Sequence, residues 1–230
     1  MTTFVLVHGA WHGGWCWARV AETLRSAGHR VYTPTLTGLG ERSHLFSGDI
    51  TLTTHIDDVA NVLAWEDLDD VVLCGHSYGG MVISGVAERA PGRIGALVFL
   101  DAFIPHDGQA MVDLMSDALR ARLLAGADRG VGVPPIPAAA FRVREENCAY
   151  VDAKCVPQPL GTFVEPIRLT GARERVARLA YIRAANYPSP GFDAARAYAA
   201  EAGWAVHDVP CGHDVMVDLP GLLAVLLTQV

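Results

Sequence analysis

Short apolar segments alternate with amphipathic segments along most of this chain. The apolar runs are rich in β-branched residues and are nearly free of polar positions, as in strands that are covered on both faces of a sheet. The segments between them have helical spacing and end near glycine or proline. This alternation predicts a parallel sheet covered by helices. The predicted strands span 3–9, 29–34, 70–75, 95–101, 179–184 and 204–209, and the predicted helices span 15–27, 54–66, 78–90, 192–202 and 219–228.

The alternation fails between about residues 104 and 170. Proline and glycine collect there in GVGVPPIPAAAF and VPQPLGTFVEP, with helical patterns near 109–125 and 145–155. An insertion of this length inside a compact domain is usually functional. We therefore predict one domain over residues 1–230, in which 104–170 form a small, mainly helical cap between the fourth and fifth strands.

Composition and charge exclude several classes of partner. The net charge is -7 and no long basic run occurs, so nucleic acid is not an expected partner. The apolar stretch LPGLLAVLL is too short to span a bilayer, and the N-terminal residues do not resemble a secretory leader. The five cysteines form no CxxC pair, which predicts neither a disulfide framework nor a structural zinc site. We expect a reduced, cytoplasmic setting and no membrane partner.

The stretch VVLCGHSYGG places Ser77 between Gly75 and Gly79, after an apolar strand and at the start of a predicted helix. A sharp strand-to-helix turn needs small neighbours, because its backbone is strained and the flanking chain passes close by. The alternative is a serine in an ordinary flexible loop. The strand before Ser77 and the helix after it favour a nucleophile on a strained turn.

A serine nucleophile also needs a base and an oxyanion hole. His213 lies between the last strand and the last helix, where a hydrolase whose serine comes first in the chain keeps its base. The glycine-rich loop VHGAWHGGW offers backbone donors, and we assign the oxyanion hole to the N–H groups of Ala10 and Tyr78. His8 and His12 have the spacing of a metal pair, but they lie on a loop with no evident third ligand. We expect no metal, and hydrogen bonds from these two histidines that hold the loop in shape.

The segments FVLVHGAWHGGWCW, CGHSYGG and CGHDVMVDLP resemble the α/β-hydrolase superfamily. With TPTLTGLGERSHL and VFLDAFIPHDGQ, they resemble more narrowly the branch that holds plant methylesterases, hydroxynitrile lyases and small bacterial esterases. The resemblance implies an α/β-hydrolase fold whose six parallel strands have the order 2-1-3-4-5-6. It also admits a homodimer, which the sequence itself does not indicate.

The acid of the catalytic triad departs from the pattern of that branch. Most members carry it after the fifth of the predicted strands, in a segment like TxxD, where this chain has Asn186 and Tyr187. Asp101, at the carboxyl end of the fourth strand, keeps the order Ser…Asp…His and is our candidate acid. Asp193 is the second candidate. The alternative role for Asp101 is a cap at the strand end.

Hydroxynitrile lyases of the branch carry a threonine in the first-strand loop, a glutamate before the serine and a lysine after the histidine. This chain has Gly9, His76 and Asp214 at the matching positions. An anion replaces the cation that would hold cyanide, so lyase activity is not expected.

The sequence therefore predicts a serine hydrolase that cleaves small alkyl or aryl carboxylic esters through an acyl-enzyme, with no cofactor. One alternative is an amide or carbamate hydrolase with the same triad, and another is a non-catalytic ligand-binding protein on the same scaffold. Apolar residues near the predicted mouth fit an acyl pocket and ordinary core equally well. The candidates for contact with substrate are Trp11, Phe103, Phe163 and Met216.

Overall fold

The apolar segments form a sheet of six strands in the computed structural model, which describes residues 1–127 and 131–230. All strand pairs in this sheet are parallel. The strands of the described residues are β1 (Thr3–Val7), β2 (Arg30–Tyr32), β3 (Val71–His76), β4 (Ile94–Leu100), β5 (Gly132–Val133), β6 (Gln158–Pro159), β7 (Arg178–Ala184) and β8 (Ala205–Val209). The sheet order is β2-β1-β3-β4-β7-β8, which is 2-1-3-4-5-6 when only its own strands are counted, so the predicted topology is confirmed.

Helices and loops cover the central strands on both faces. Every residue of β3 is buried, although successive side chains point to opposite faces of the sheet. The helix α1 packs against α9, and α2 packs against α3. The helix bounds are α1 (Ala18–Ser26), α2 (Leu52–Trp65), α3 (Gly79–Arg89), α4 (Asp117–Gly126), α5 (Glu145–Asp152), α6 (Gly161–Val164), α7 (Pro190–Glu201), α8 (Val215–Asp218) and α9 (Pro220–Thr228).

The chain between β4 and β7 contains helices α4 to α6 and the short antiparallel pair of β5 and β6. The helical pieces predicted near 109–125 correspond to a 3-10 turn at Met111–Leu114 and to α4, with a division between them. The division occurs at Ser116, whose side chain caps α4 by accepting a hydrogen bond from the Leu119 N–H at 3.3 Å. Residues 128–130 lie outside the described part of the chain. The cap boundaries and the single domain stay predictions.

Parallel strands bring their carboxyl ends to one edge of the sheet, where ligands of α/β proteins usually bind. Ser77 follows β3, Asp101 follows β4, and the loop with His213 follows β8. The glycine-rich loop that begins at His8 follows β1 at the same edge. The topology therefore collects the predicted chemistry at one place.

Among the described residues, no helix combines the length and the apolar character needed to cross a membrane.

Candidate active site

Ser77 occupies a sharp turn between β3 and α3. Its φ of 55° lies in the left-handed region, which is unfavourable for a residue with a side chain. Two N–H groups, those of Gly80 at 3.0 Å and Phe103 at 3.2 Å, donate to the Ser77 carbonyl and hold the turn. The serine is therefore presented on a strained turn after a buried strand, as its sequence context predicts.

Both flanking glycines are required by close backbone contacts. A Cβ on Gly75 would lie 2.5 Å from the Gly79 carbonyl oxygen. A Cβ on Gly79 would lie 2.9 Å from the Val7 carbonyl oxygen. Because real Cβ atoms do not approach backbone so closely, α3 can pack against β1 and β3 here only with glycine at these positions.

His213 and Asp101 form a buried pair beside Ser77. The Nδ1–H of His213 donates to Oδ2 of Asp101 at 2.6 Å. With the proton on Nδ1, the other ring nitrogen, Nε2, is the one that can accept a proton. Within the described residues the Ser77 hydroxyl makes no hydrogen bond, but Ser77 and His213 line the same cleft. Hydrogen bonds between nucleophile and base are often long without substrate and shorten in the complex.

Aromatic rings surround the imidazole of His213. Phe192 stacks on it with ring centroids 5.1 Å apart and an interplanar angle of 11°. Tyr187 lies at 5.0 Å and Phe141 at 5.2 Å. The His213 N–H also donates to the Phe141 carbonyl at 2.9 Å, which ties the loop to the cap segment. These contacts fix the orientation of the ring, and His213 is buried.

The loop after β1 lies directly against Ser77, since a Cβ on Gly9 would be 2.9 Å from the Ser77 Cβ. Neither the Ala10 N–H nor the Tyr78 N–H donates a hydrogen bond within the described residues. His8 donates through Nδ1 to the Gly9 carbonyl at 2.8 Å, and that carbonyl belongs to the same peptide group as the Ala10 N–H. The peptide plane is thus held with its N–H available, as an oxyanion donor must be.

His12 fixes the next peptide and links this loop to the loop of His213. Its Nδ1 faces the Ala10 carbonyl at 2.7 Å, and its Nε2 faces Oδ2 of Asp214 at 3.1 Å. Both partners are acceptors, so both nitrogens donate and the ring is an imidazolium. Burial alone would lower the pKa of His12, but the Asp214 carboxylate outweighs it and the pKa is raised. Burial likewise acts to raise the pKa of Asp214, and the His12 charge instead lowers it.

His76, His213 and Asp214 offer possible metal-ligand atoms within 4.8 Å of one another. All three side chains already have other partners, and the partner of Asp214 is His12. His76 donates through Nε2 to the His213 carbonyl at 3.0 Å, and His213 donates through Nδ1 to Asp101. Burial holds the pKa of His76 well below its usual range, so this ring is neutral. We assign these residues to the hydrogen-bond network of the site.

A cleft of about 250 Å³ opens over Ser77 and His213. Trp11 and Phe103, both predicted to contact substrate, line it. Trp11 is anchored to the cap by hydrogen bonds from its N–H to Gln158 at 2.9 Å and from its Nε1–H to the Val133 carbonyl at 3.0 Å. The other walls are mainly apolar and include Met111, Met115, Leu123, Ile136, Phe141 and Phe192.

A larger groove of about 640 Å³ lies between α2, α3 and the residues near Glu165, and contains neither Ser77 nor His213.

The structure does not bring Phe163 and Met216 to this cleft. Both side chains are fully buried in the core and neither lines the cavity, so their predicted contact with substrate is corrected. Phe163 packs behind Trp11 with ring centroids 5.9 Å apart, and Met216 lies in α8.

Asp193, the second candidate acid, binds Arg183 at 2.9 Å and is 63% exposed, whereas the Asp101 carboxylate is fully buried.

Sequence reasoning missed several residues around His213. Phe141 lies in the cap and Phe192 follows β7, so no local pattern places them beside a loop more than twenty residues later in the chain. For Tyr187 the signal was its position in the chain, because most members of the branch carry the triad acid there. Arg183 was also missed, although a charge inside the apolar run LAYIRA is a usable signal. A buried guanidinium requires an acidic or carbonyl partner, and Arg183 donates to Asp101 at 2.6 Å.

Comparison with known proteins confirms the resemblance to the α/β-hydrolase superfamily. The sequence profile described as "Alpha/beta hydrolase family" matches residues 4–225. A carbendazim hydrolyzing esterase of Nocardioides sp. (strain SG-4G) is 48% identical over 235 residues, covering 97% of this chain and 97% of that protein. Methylesterase 1 of Arabidopsis thaliana is 39% identical over 104 residues, which are 44% of this chain and 40% of that protein.

A solved structure agrees with these relatives. An extracellular alpha/beta-hydrolase from a Paenibacillus species superposes with a TM-score of 0.88 at 26% identity, covering 100% of this chain and 98% of that one. Its description states structural and functional homology to tobacco Salicylic Acid Binding Protein 2. The predicted fold and the methylesterase branch are therefore both confirmed.

Proposed function

This chain belongs to the alpha/beta hydrolase family and is an ester hydrolase, and we propose that it works through Ser77, His213 and Asp101. The observation that supports this proposal most strongly is the buried His213–Asp101 hydrogen bond of 2.6 Å at the edge of the cleft that Ser77 lines. A carboxylate on Nδ1 selects the tautomer whose Nε2 can act as the base. The strained turn at Ser77 presents the hydroxyl to the same cleft.

The proposed reaction is acyl transfer in two stages. Nε2 of His213 takes the Ser77 proton while Oγ attacks the ester carbonyl carbon. The oxyanion that forms accepts hydrogen bonds from the N–H groups of Ala10 and Tyr78. The imidazolium then gives its proton to the departing alcohol, which leaves the acyl group on Ser77. The same histidine then takes a proton from water while the water oxygen attacks the acyl carbon. The acyl–Oγ bond breaks, the imidazolium returns the proton to Oγ of Ser77, and the carboxylic acid leaves. The steps use only groups of the chain and water, and they need no cofactor.

The apolar cleft supports a small, flat or short substrate. Its volume of about 250 Å³ lies just below the usual range for ligand pockets, and its walls are mainly aromatic and aliphatic, with Arg122 and Ser189 among the polar lining residues. We propose short alkyl or aryl esters as the substrate class. Only the ester group itself then needs polar contacts.

A carbamate is the second candidate substrate. One relative that aligns over nearly the whole chain is named a carbendazim hydrolyzing esterase. Carbendazim is a methyl carbamate of an aromatic heterocycle. A carbamate presents a carbonyl and an alkoxy leaving group to the same serine, so the mechanism above applies without change. Trp11, Phe103 and Phe192 give the cleft flat surfaces that suit an aromatic ring.

The location and partners of the protein stay at the level of proposal. We propose a cytoplasmic enzyme, supported by the five cysteines, all of which are unpaired in the described part of the chain. We further propose a small-molecule substrate as the main partner, with neither nucleic acid nor membrane involved, supported by the net charge of -7. The homodimer stays a prediction.

The central test is the replacement of Ser77. Ser77→Ala should lower the hydrolysis of 4-nitrophenyl acetate and of carbendazim by at least about 10³-fold, because the nucleophile is lost. A fluorophosphonate should label wild-type protein at Ser77 alone, as located by mass spectrometry. Ser84→Ala is the matched control, since Ser84 is also buried but donates only to the Gly80 carbonyl within α3. A label on another residue, or turnover in Ser77→Ala comparable with Ser84→Ala, contradicts the proposal, and ligand binding without turnover supports the non-catalytic alternative.

A further inference from the structure

A buried arginine lies behind the proposed acid. Arg183 is near the end of β7, and its side chain is 4% exposed. Burying a guanidinium is unfavourable unless its donors are satisfied, and here they are. Nη1 donates to Asp101 and to the Ala184 carbonyl, Nη2 donates to the Tyr187 carbonyl, each at 2.6 Å, and Nε donates to Asp193 at 2.9 Å.

The two oxygens of the Asp101 carboxylate have separate partners. Oδ2 accepts from His213, while Oδ1 accepts from Arg183 and from the Ala184 N–H at 3.1 Å. A carboxylate attached to one Cβ rotates easily about its terminal torsion. The bonds to Oδ1 stop that rotation, so Oδ2 stays directed at His213.

We propose that Arg183 is a positioning residue of the catalytic site, which acts through Asp101 by fixing the carboxylate toward His213 and by opposing part of its negative charge. This inference rests on the proposed function. The same guanidinium holds the Tyr187 carbonyl, and the Tyr187 ring lies 5.0 Å from the imidazole of His213. The Arg183 side chain therefore positions both the Asp101 carboxylate and the backbone of Tyr187, whose ring packs against His213.

The charge of Arg183 has a consequence for the pH dependence of turnover. A carboxylate stabilises a neighbouring imidazolium, and a cation on the far oxygen of the carboxylate weakens that effect. The acidic limb of the kcat/KM profile should therefore lie at lower pH in wild-type enzyme than in a variant without the cation. Among the described residues, the other titratable or charged groups that face His213 from neighbouring elements are His76 at the end of β3, Tyr187 after β7, and Asp214 with its partner His12.

Neutral replacements of Arg183 test both parts of the proposal. In Arg183→Met and Arg183→Gln, kcat for 4-nitrophenyl acetate should fall by about ten- to a hundredfold with KM nearly constant, because the acid is misplaced but the cleft is intact. The acidic limb of the kcat/KM profile should move up by roughly one pH unit. Arg183→Lys keeps the charge without the planar fork, so it should retain the wild-type limb while recovering only part of kcat.

The double variant Arg183→Met/Asp101→Asn separates positioning from a merely structural role. If Arg183 acts through Asp101, the double variant should be no slower than Asp101→Asn alone. Arg196→Met is the matched control. Arg196 of α7 makes an exposed ion pair with Asp208 of β8, so this replacement should leave kcat and the pH profile unchanged.

Several outcomes would overturn the proposal. One such outcome is an Arg183→Met variant that folds and keeps the wild-type acidic limb of the kcat/KM profile. Another is a double variant in which the losses of kcat from the two single variants multiply. Either result would assign Arg183 to stability alone. If neither Arg183→Met nor Arg183→Gln folds, Arg183→Lys provides the test. A wild-type kcat in that variant, or a shift of the acidic limb of its kcat/KM profile, contradicts the proposal. Wild-type turnover in Asp101→Asn would instead refute the proposed acid itself, so the two failures are distinguishable.

Discussion

Three backbone conformations mark the site at the residue scale. Trp11, Ser77 and Asp101 all have positive φ, at 66°, 55° and 41°. A residue with a side chain loses about 1–2 kcal/mol in this region, so such conformations persist only where the surroundings enforce them. Each of the three lies just beyond the carboxyl end of β1, β3 or β4. Three of the six described non-glycine residues with positive φ thus lie where the nucleophile, the acid and a wall of the cleft are proposed.

The acid gives the sharpest prediction at this scale. Asp101→Asn keeps the size of the side chain and removes the charge that stabilises the imidazolium of His213. We expect kcat to fall by about 10²- to 10⁴-fold with little change in KM, as measured by steady-state hydrolysis of 4-nitrophenyl acetate.

Asp193→Asn is the control for this prediction. Asp193 shares Arg183 with Asp101, but it makes no contact with His213 and is largely exposed. Its replacement should lower kcat by less than about tenfold, because exposed ion pairs contribute little. Near-wild-type turnover in Asp101→Asn, together with a large loss in Asp193→Asn, would reverse the assignment of the acid.

The position of Asp101 could be predicted from the sequence, whereas much of its surroundings could not. A carboxylate after an apolar strand must lie at the carboxyl edge of a parallel sheet, and this rule alone places Asp101 near Ser77. The burial of Phe163 and Met216 depends on how the cap and α8 pack, which no local period encodes. The aromatic cage of His213 likewise joins segments far apart in the chain, so only tertiary structure reveals it.

The turn between β3 and α3 is the element on which the site depends most. Its sequence predicts its form because the spacing of Gly75, Ser77 and Gly79 leaves few alternatives for a strand that runs directly into a helix. The cap segment is less predictable at this scale. The sequence indicates helical pieces near 109–125 without their boundaries, and in the structure Ser116 caps α4, which begins at Asp117.

Gly75→Ala should destabilise the protein by about 1–3 kcal/mol, because the new Cβ would overlap the Gly79 carbonyl group and neither backbone segment can move freely. Urea unfolding followed by far-UV circular dichroism measures the change. Gly92→Ala is the matched control, since a Cβ there would meet no atom within 4 Å. Equal free energies of unfolding for the two variants would show that the turn is not constrained as described.

At the scale of the whole molecule, the interior holds an unusual number of histidines. His8, His12, His55, His76 and His213 are all buried. Burial lowers the pKa of His8 to about 3 and that of His55 to about 4, and it holds the pKa of His76 well below its usual range. These three rings are neutral in the folded protein, and each becomes protonated in the unfolded chain below a pH of about 6.5.

The sign of their effect on stability follows from proton binding. Between about pH 6.5 and pH 4 the unfolded chain binds protons on these three histidines that the folded protein does not bind, so stability falls as the pH falls. The His12–Asp214 pair acts differently. The raised pKa of His12 contributes stability that is fully present below about pH 6.5, and the lowered pKa of Asp214 contributes stability that is lost only below about pH 4. Neither member of the pair therefore dominates the slope in this window.

His55→Gln should reduce the fall in the free energy of unfolding that accompanies a decrease in pH. His55 donates to the Thr37 carbonyl at 2.9 Å and accepts from the Tyr78 hydroxyl at 3.0 Å, and glutamine offers a donor and an acceptor that do not titrate. Each histidine of this kind contributes up to about 1.4 kcal/mol per pH unit. Urea unfolding at several values between pH 5 and pH 7 should show a smaller fall in the free energy of unfolding for His55→Gln than for wild type. The exposed His44 supplies the control, and His44→Gln should keep the wild-type slope. An unchanged slope in His55→Gln would contradict the role assigned to His55 in this pH dependence.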